Sequence, residues 1–199
     1  MVVRKSKQEI NDKQILEEIL TLATICRIAM IDDGEPYLLP FNYGYRDNCI
    51  YIHSALEGRK IEALSLHSRV CFEVEQQADL VKGSRACDWS TLYRSVIGYG
   101  NMEIIKDFSQ KQEGMEIIMA QHGAPELIDF KENNINSIVI LKLSIDTMTG
   151  KQSSNWNRIM EKASLSLETE RLLLQEISWG DLDQIHELHS IPAFSSTLM

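Results

Sequence analysis

The residues best suited to chemistry lie between positions 51 and 60, which read YIHSALEGRK. An anion bound there would receive the Ser54 hydroxyl, backbone N–H groups at a helix start, the Arg59 guanidinium and the Lys60 ammonium. Gly58 would permit close approach of the backbone. The same residues are also typical of a solvated helix terminus, and the Gly-x-x-x-x-Gly-Lys spacing of a P-loop is absent. The stretch therefore predicts either an anion site or an ordinary turn.

Three further side chains have suitable chemistry on strand-like segments. His53 alternates with Ile50 and Ile52, so it faces the opposite side of its strand, where it can contact a ring or donate a proton. A histidine with only a structural role is the simpler interpretation. Tyr93 and Ser95 share one face of a later segment, so they can address one ligand together or belong to a strand of mixed exposure.

Composition and charge exclude several classes of partner. The 199 residues include 29 acidic and 20 basic side chains, and the formal charge of -9 repels nucleic acid. No apolar run approaches the roughly 20 residues needed to span a bilayer, and the amino terminus lacks the apolar centre of a secretion signal. We therefore expect a soluble, cytoplasmic protein with one main domain.

Cysteines and histidines give no metal-binding pattern. The four cysteines are scattered singly and are expected to be reduced, mostly buried thiols: Cys26, Cys49, Cys71 and Cys87. His186 and His189 lie three apart on a predicted helix but lack acidic or cysteine partners at matching spacing. Neither the Gly-x-Ser-x-Gly motif nor the His-Glu-x-x-His motif occurs, so no metal site or hydrolase triad is predicted.

Alternating apolar residues predict about six antiparallel strands. These are CRIAMID, YLLPFNYGYRD, CIYIHS, RVCFEVEQQ, YRSVIGYGNMEII and SIVILKLSIDTMTGK. Gly98 and Gly100 inside the fifth segment indicate a bulge, a bend, or close approach of a ligand or another chain. Residues 78–90 are mixed and polar, which predicts a loop. The predicted fold is mainly β, a small barrel with flanking helices.

Two longer helices and one short helix are expected around the strands. Asn11 and Gln14 resemble a capping box before the first, and the segment GRKIEALSLH predicts the short one. The other long helix should begin near Asp107. Its apolar face is predicted to consist of Phe108, Met115, Ile118 and Met119.

Several of these blocks, in this order, resemble one known family. LPFNYGY, YIHSALEGRKIEAL, VCFEVE, YRSVIGYGNMEII and TGKQS are similar to the pyridoxamine-phosphate-oxidase-like flavin proteins, especially to their 5-nitroimidazole resistance branch. The resemblance implies a six-stranded antiparallel split β-barrel that forms a homodimer with FMN between the subunits. FAD is the alternative cofactor. The cofactor-binding residues that it implies are Asn42, His53, Ser54, Arg59, Lys60, Tyr93, Ser95, Lys151 and Trp156.

The family resemblance favours a flavin-dependent oxidoreductase that uses NADH or NADPH as a transient electron donor. His53 is then the candidate catalytic residue, in contact with a small-molecule substrate such as a nitroaromatic compound. Two other functions stay open: a flavin-binding or flavin-sensing dimer without turnover, and a structural protein that has lost the cofactor. No dinucleotide-binding Gly-x-Gly-x-x-Gly fingerprint is present, so any nicotinamide would bind only transiently.

The composition changes after Trp156, and the resemblance ends near residue 158. Residues 1–158 are predicted to form the flavin-binding domain and residues 159–199 a linker with a strand–helix fragment. LETERLLLQEIS reads as one strand and WGDLDQIHELHS as one amphipathic helix. This tail resembles the start of an N-acetyltransferase domain of the ribosomal-protein branch. The acetyl-CoA-binding part of that fold is absent, so acetyl transfer is not predicted.

Overall fold

The computed structural model describes residues 8–124, 130–154, 156–157, 167–168 and 173–174, without the side chains of residues 77–79, 167–168 and 173–174. The chain divides into two units, Met1–Ser154 and Asn155–Met199. The first unit contains four α-helices within its described residues, and they are α1 (Lys13–Leu22), α2 (Arg59–Leu66), α3 (Phe108–Gln121) and α4 (Glu132–Asn136). A short 3₁₀ turn covers Ala86–Asp88.

Aspartates cap the two longest helices. The Asp107 carboxylate accepts the Gln110 N–H at 3.0 Å, which confirms the predicted start of α3. Asp12, and not Asn11, caps α1, and it accepts the Gln14 N–H at 2.8 Å. The capping-box spacing therefore placed this helix start one residue too early.

The buried face of α3 differs from the predicted one. Ile118 is buried as expected, but Phe108 is 40% exposed because it is the first residue of the helix and faces solvent. The face that packs on the sheet is formed by Lys111, Gly114, Ile117 and Ile118. A lysine and a glycine on that face carry no apolar signal, so the hydrophobic pattern did not reveal it.

The first unit is built around one antiparallel sheet. Its strands are β1 (Glu9–Ile10), β2 (Ile25–Asp32), β3 (Glu35–Asn42), β4 (Gly44–Arg46), β5 (Cys49–Ala55), β6 (Arg69–Val81), β7 (Ser90–Ile105) and β8 (Ile138–Gln152). They follow the order β3, β2, β6, β7, β8, β5, β4, and β1 pairs with the end of β8. Residues 79–81, expected in a loop, instead continue β6 and pair with residues 90–92.

The sheet closes into a barrel because one chain segment serves both of its edges. β3 and β4 stand at opposite ends of the strand order, yet only Tyr43 separates them in sequence. β3 pairs with β2 and β4 pairs with β5. The segment from Glu35 to Arg46 is thus one strand divided in two, which gives six barrel strands and the added β1. The predicted split barrel is confirmed.

Tyr43, at this division, is completely buried and joins two helices to the barrel. Its hydroxyl donates to the Leu20 carbonyl at 2.6 Å. The Gln121 side chain donates to the same carbonyl at 2.8 Å and to the Ala23 carbonyl at 2.6 Å, and it accepts the Tyr45 N–H at 2.7 Å. The ends of α1 and α3 are therefore fixed beside the point where the strand divides.

Two hairpins use residues with positive φ. Asp33 and Gly34 connect β2 to β3 with φ of 49° and 80°, and Asp47 and Asn48 connect β4 to β5 with φ of 52° and 60°. Positive φ at both central residues matches the right-handed twist of the flanking strands. These turns fix the register of both hairpins.

A bulge interrupts the longest strand pair, as the glycines predicted. The pairing of β7 with β8 shifts register at Gly100 and leaves Asp146 as an extra residue. A Cβ atom on Gly100 would lie 2.1 Å from the Ser144 carbonyl oxygen, so only glycine fits there. Arg69 and Asn101 both donate to the Asp146 carboxylate.

The second unit contains two short strands within its described residues, β9 (Leu167–Glu168) and β10 (Leu173–Leu174). They pair antiparallel with each other, with Leu173 opposite Glu168. The expectation of one continuous strand here was wrong, because two separate strands pair with each other. The predicted amphipathic helix and the pair His186 and His189 lie outside the described residues.

All four cysteines are free thiols, but only Cys26 is fully buried, so the expectation of mostly buried thiols was wrong. Cys49 and Cys71 are half-buried on the outer face of the sheet, and Cys87 is exposed. Among the helices described, none is long and apolar enough to cross a membrane.

We expect Tyr43→Phe to lower the free energy of unfolding by about 1 kcal/mol at neutral pH, since one hydrogen bond to Leu20 is lost. Burial, the largest cause, raises the pKa of the Tyr43 phenol. An unfolded tyrosine has a pKa near 10, so above about pH 10 the unfolded state releases a proton that the folded state keeps. Wild-type stability then falls as the pH rises.

Tyr43→Phe has no phenol at this position, so its free energy of unfolding should fall less steeply above pH 10 than that of the wild type. The two slopes should differ by up to about 1.4 kcal/mol per pH unit. Urea unfolding at pH 8, 10 and 11 measures both slopes. Tyr99→Phe, at an exposed tyrosine, is the control for removing a hydroxyl. Equal slopes for the wild type and Tyr43→Phe would contradict the assignment.

Candidate functional site

Four of the predicted site residues lie where β5 leads into α2, and we call them the β5–α2 group: His53, Ser54, Arg59 and Lys60. His53 is exposed on the outer face of the barrel, as the alternation with Ile50 and Ile52 predicted. Ser54 faces the interior and is only 4% exposed. Neighbouring residues of one strand thus point to opposite faces, so these two side chains do not share one surface.

The Ser54 hydroxyl is an unusual polar group. Its oxygen is buried and has no hydrogen-bond partner within the described residues. Buried hydroxyl groups in folded proteins almost always have a partner, and an unpaired one is unfavourable. A ligand with a hydrogen-bonding group could satisfy it.

The start of α2 offers backbone donors to an anion. Gly58 precedes the helix with φ of 118°, a conformation that favours glycine, and no side chain caps the helix. The N–H groups of Ile61 and Glu62 donate to the Gly58 carbonyl at 2.8 and 3.1 Å. Those of Arg59 and Lys60 have no partner inside the helix, because the first turn leaves its donors unpaired. The positive end of the α2 dipole lies at these N–H groups and also favours a bound anion.

Arg59 is held in a defined position at this helix start. Its Nε donates to the Asp32 carboxylate, and its guanidinium carbon lies 4.3 Å from the centre of the Tyr37 ring. The hydrogen bond to Asp32 raises the pKa of the Arg59 guanidinium. Because Nε makes this contact, both Nη groups are left to donate to another acceptor. No pattern in the sequence predicted the contacts of Arg59 with Asp32 and Tyr37.

Lys60 adds an ammonium group next to Arg59. It is half-exposed, and within the part of the chain that the structure describes it has no ion-pair partner. The two cations and the uncapped N–H groups make a donor set that fits a phosphate group.

Three other predicted residues meet on the outer face of the barrel, and we call them the β7–β8 group: Tyr93, Ser95 and Lys151. Ser95 pairs with Lys151 across β7 and β8. The Lys151 Nζ lies 5.9 Å from the centre of the Tyr93 ring, within reach of a cation–π contact. The prediction that Tyr93 and Ser95 share a face is confirmed.

Ser153 belongs beside this group, although sequence reasoning missed it. Its N–H donates to the Tyr93 carbonyl at 2.9 Å, and its side chain is 4% exposed. The Ser153 hydroxyl, like that of Ser54, is buried without a partner within the described residues. The serine at the end of TGKQS carried no signal of burial in the sequence.

The two groups lie at opposite ends of β8. His53 pairs with Ile140, and Ser95 pairs with Lys151. Ile140 and Lys151 are eleven positions apart, which is roughly 35 Å along an extended strand. The fold of one chain therefore does not bring all the predicted residues into one site.

Asn42 is exposed at the same level of the sheet as the β7–β8 group. It pairs with Ile25, and continuing the pairing of β2 with β6 by one residue places Ile25 beside Glu75, which pairs with Ser95. Three strand spacings, roughly 14 Å, separate Asn42 from Ser95. Between them lies an open cavity of about 410 Å³, lined by Leu22, Ala23, Thr24, Ile25, Arg27 and Glu75.

Two remaining expectations concern Trp156 and metals. Trp156 is buried but belongs to the second unit, so its place near a cofactor stays a prediction. Across the described ranges there is no cluster of three or more histidine, cysteine or acidic side chains able to hold a metal ion.

The closed six-stranded sheet defines a split barrel, and the cationic start of α2 is its candidate anion site. The chain belongs to the pyridoxamine 5'-phosphate oxidase family, whose model matches residues 12–152. The family resemblance found in the sequence is thus confirmed. No curated protein matches the chain.

Solved structures agree with this assignment. The chain is similar to a candidate 5-nitroimidazole antibiotic resistance protein from Bacteroides thetaiotaomicron, with 32% identity over 72% of this chain and 85% of that chain and a TM-score of 0.65. The flavocytochrome Anf3 from Azotobacter vinelandii is 22% identical over 76% and 72% of the two chains, with a TM-score of 0.66. An FAD and heme binding protein from Mycobacterium smegmatis is 17% identical over 87% and 92%, also with a TM-score of 0.66. The last two share the fold.

We expect Ser54→Ala to leave the stability of the ligand-free protein unchanged or to raise its free energy of unfolding by up to about 1 kcal/mol. The change removes an unpaired buried oxygen and breaks no hydrogen bond. Urea unfolding of the ligand-free protein measures this. Ser137→Ala is the matched control, because that hydroxyl donates to the Asn134 carbonyl at 2.8 Å. A loss of more than 1 kcal/mol in Ser54→Ala would show that the hydroxyl has a partner in the protein.

Proposed function

We propose that this protein is a flavin-dependent oxidoreductase that binds FMN and uses a reduced nicotinamide to reduce a small electrophilic molecule. A nitroaromatic compound is the substrate class that the 32% identical protein from Bacteroides thetaiotaomicron suggests. The observation that carries the proposal is the cationic start of α2, where Arg59 and Lys60 are the first two residues of a helix that no side chain caps.

When bound, FMN supplies the two-electron chemistry that connects a nicotinamide to an acceptor, and the protein binds and orients it. The Nη groups of Arg59 and the Lys60 ammonium bind the phosphate oxygens. The N–H groups at the start of α2 complete this anion site.

The remaining cofactor contacts come from a second copy of the chain. The β5–α2 group and the β7–β8 group lie too far apart to hold one flavin within one barrel. In a two-fold symmetric dimer, the β7–β8 group and Asn42 of one subunit meet the β5–α2 group of the other. The outer face of the sheet supports such an association, because it exposes Ile25, Ile31, Leu38, Ile97 and Tyr99.

His53 is the candidate catalytic residue in this arrangement. It is exposed on the outer face, next to the β5–α2 turn, so its imidazole can contact a substrate held against the flavin. An imidazole can donate a proton to the substrate during reduction near neutral pH. In the proposed dimer, Lys151 and Tyr93 of the other subunit would add a cation and a ring to the same site.

The first test is cofactor binding. The purified dimer should show flavin absorbance bands, and the chromophore released on denaturation should be FMN. The double variant Arg59→Ala/Lys60→Ala should raise the FMN dissociation constant at least tenfold, since charge-assisted hydrogen bonds contribute about 1.5–3 kcal/mol each. Fluorescence titration with FMN measures this.

The matched control is Lys82→Ala/Arg85→Ala, which removes the same two charges from the loop between β6 and β7. It should leave FMN affinity within about twofold of the wild type. Equal FMN affinities of the wild type and Arg59→Ala/Lys60→Ala would exclude α2 as the phosphate site. A protein that takes up no FMN would refute the proposed function.

His53→Ala should keep the flavin content and lower the rate of acceptor reduction by about a hundredfold or more, the usual contribution of an acid–base group. Anaerobic oxidation of NADH or NADPH with a nitroaromatic acceptor measures the rate. His122→Ala, at an exposed histidine that ends α3, is the control. Unchanged turnover in His53→Ala would remove this residue from the catalytic site, and no nicotinamide oxidation by the wild type would leave only flavin binding.

A further inference from the structure

The Arg59 side chain is held by two residues that come from another part of the chain. Asp32 ends β2 and Tyr37 lies in β3, on the two sides of the Asp33–Gly34 turn. Asp32 accepts a hydrogen bond from the edge of the guanidinium at Nε, while the Tyr37 ring covers one of its faces at 4.3 Å. The Asp32 hydrogen bond limits rotation of the guanidinium within its own plane. The Tyr37 ring fixes the orientation of that plane.

The Tyr37 ring and the Asp32 carboxylate are held in place by the barrel and not by the helix that carries Arg59. Tyr37 packs against the main hydrophobic core and pairs with Met30, which is 2% exposed. Asp32 pairs with Glu35 directly at the turn. The ring and the carboxylate therefore have little freedom to move away from the guanidinium.

An unsupported arginine at this position would have many conformations. The Arg59 side chain is 64% exposed, and a long exposed side chain loses conformational entropy when a ligand orders it. Tyr37 and Asp32 restrict this freedom before any ligand arrives. The contact at Nε leaves the far end of the guanidinium, with one N–H on each Nη, as a pair of donors that suits two phosphate oxygens.

We propose that Tyr37 and Asp32 are positioning residues that direct the Arg59 guanidinium at the phosphate of the flavin. The inference rests on the proposed function and adds a preference among flavin ligands to it. The site favours phosphate-bearing flavins over phosphate-free ones because the β2–β3 hairpin organises the guanidinium in advance. A change in the hairpin should then affect only ligands that carry the phosphate.

The test compares FMN with riboflavin, which lacks the phosphate. Tyr37→Leu should weaken FMN binding about two- to fivefold, the range for loss of an exposed cation–π contact, and should leave riboflavin binding unchanged. Tyr37→Phe keeps the ring and should restore wild-type FMN affinity. Fluorescence titration of each variant with both flavins gives these ratios, and thermal unfolding verifies that each variant is folded.

Asp32 is tested against a charge-matched control. Asp32→Ala removes the carboxylate that restrains Arg59, whereas Glu35→Gln removes a charge of the same sign on the same hairpin without touching Arg59. The loss of a negative charge alone should favour a phosphate ligand in both variants. We expect Asp32→Ala to bind FMN more weakly than Glu35→Gln, because only the former releases the guanidinium.

A double-mutant cycle provides the decisive measurement. In an Arg59→Gln background there is no cation to position, so Tyr37→Leu should no longer change FMN affinity. Equal effects of Tyr37→Leu in both backgrounds, or equal weakening of FMN and riboflavin, would overturn the inference and leave the proposed function intact. Failure of the wild type to bind FMN would refute both.

Discussion

Closure of the sheet depends on the single residue between β3 and β4. A strand can pair with two neighbours only along its own length, so the chain from Glu35 to Arg46 must change neighbours at a defined point. Tyr43 supplies that point, buried and hydrogen-bonded to the end of α1. The next residue, Gly44, has no room for a side chain against the backbone of α3. Without this junction the two sheet edges would stay open, and β5 would not end beside the β2–β3 hairpin.

In an acidic chain, the proposed phosphate site requires cations that act locally. The formal charge of -9 opposes any long-range attraction of an anion. Over distances beyond about 8–10 Å, however, salt screens most of this repulsion. Arg59, Lys60 and the helix start are concentrated within one turn of α2, where direct hydrogen bonds dominate over the net charge. The acidic neighbour Asp32 fits this proposal because its carboxylate accepts a hydrogen bond from Arg59 and so restrains the cation.

The sequence sufficed for the features that depend on local pattern. Alternation located all six barrel segments and placed His53 and Ile52 on opposite faces, because half-buried strands repeat every two residues. Contacts between distant segments carry no such signal. Nothing in the order of residues shows that Asp32 reaches Arg59, 27 positions away, or that Ser54 is buried without a partner. The division of the predicted site into two separate groups likewise follows from the strand pairing alone.

The extra residue at Asp146 determines which side chains of β8 reach the outer surface. Before Asp146, odd-numbered residues such as Leu143 face the core, and after it even-numbered residues such as Gly150 do. The bulge thus reverses the parity of the strand. Without it, Lys151 would point into the barrel and not towards Tyr93. An insertion or deletion of an even number of residues in the second half of β8 therefore keeps the outward-facing side chains outside. Deletion of one residue at the bulge would turn every inward-facing side chain after Asp146 outward, and every outward-facing one inward.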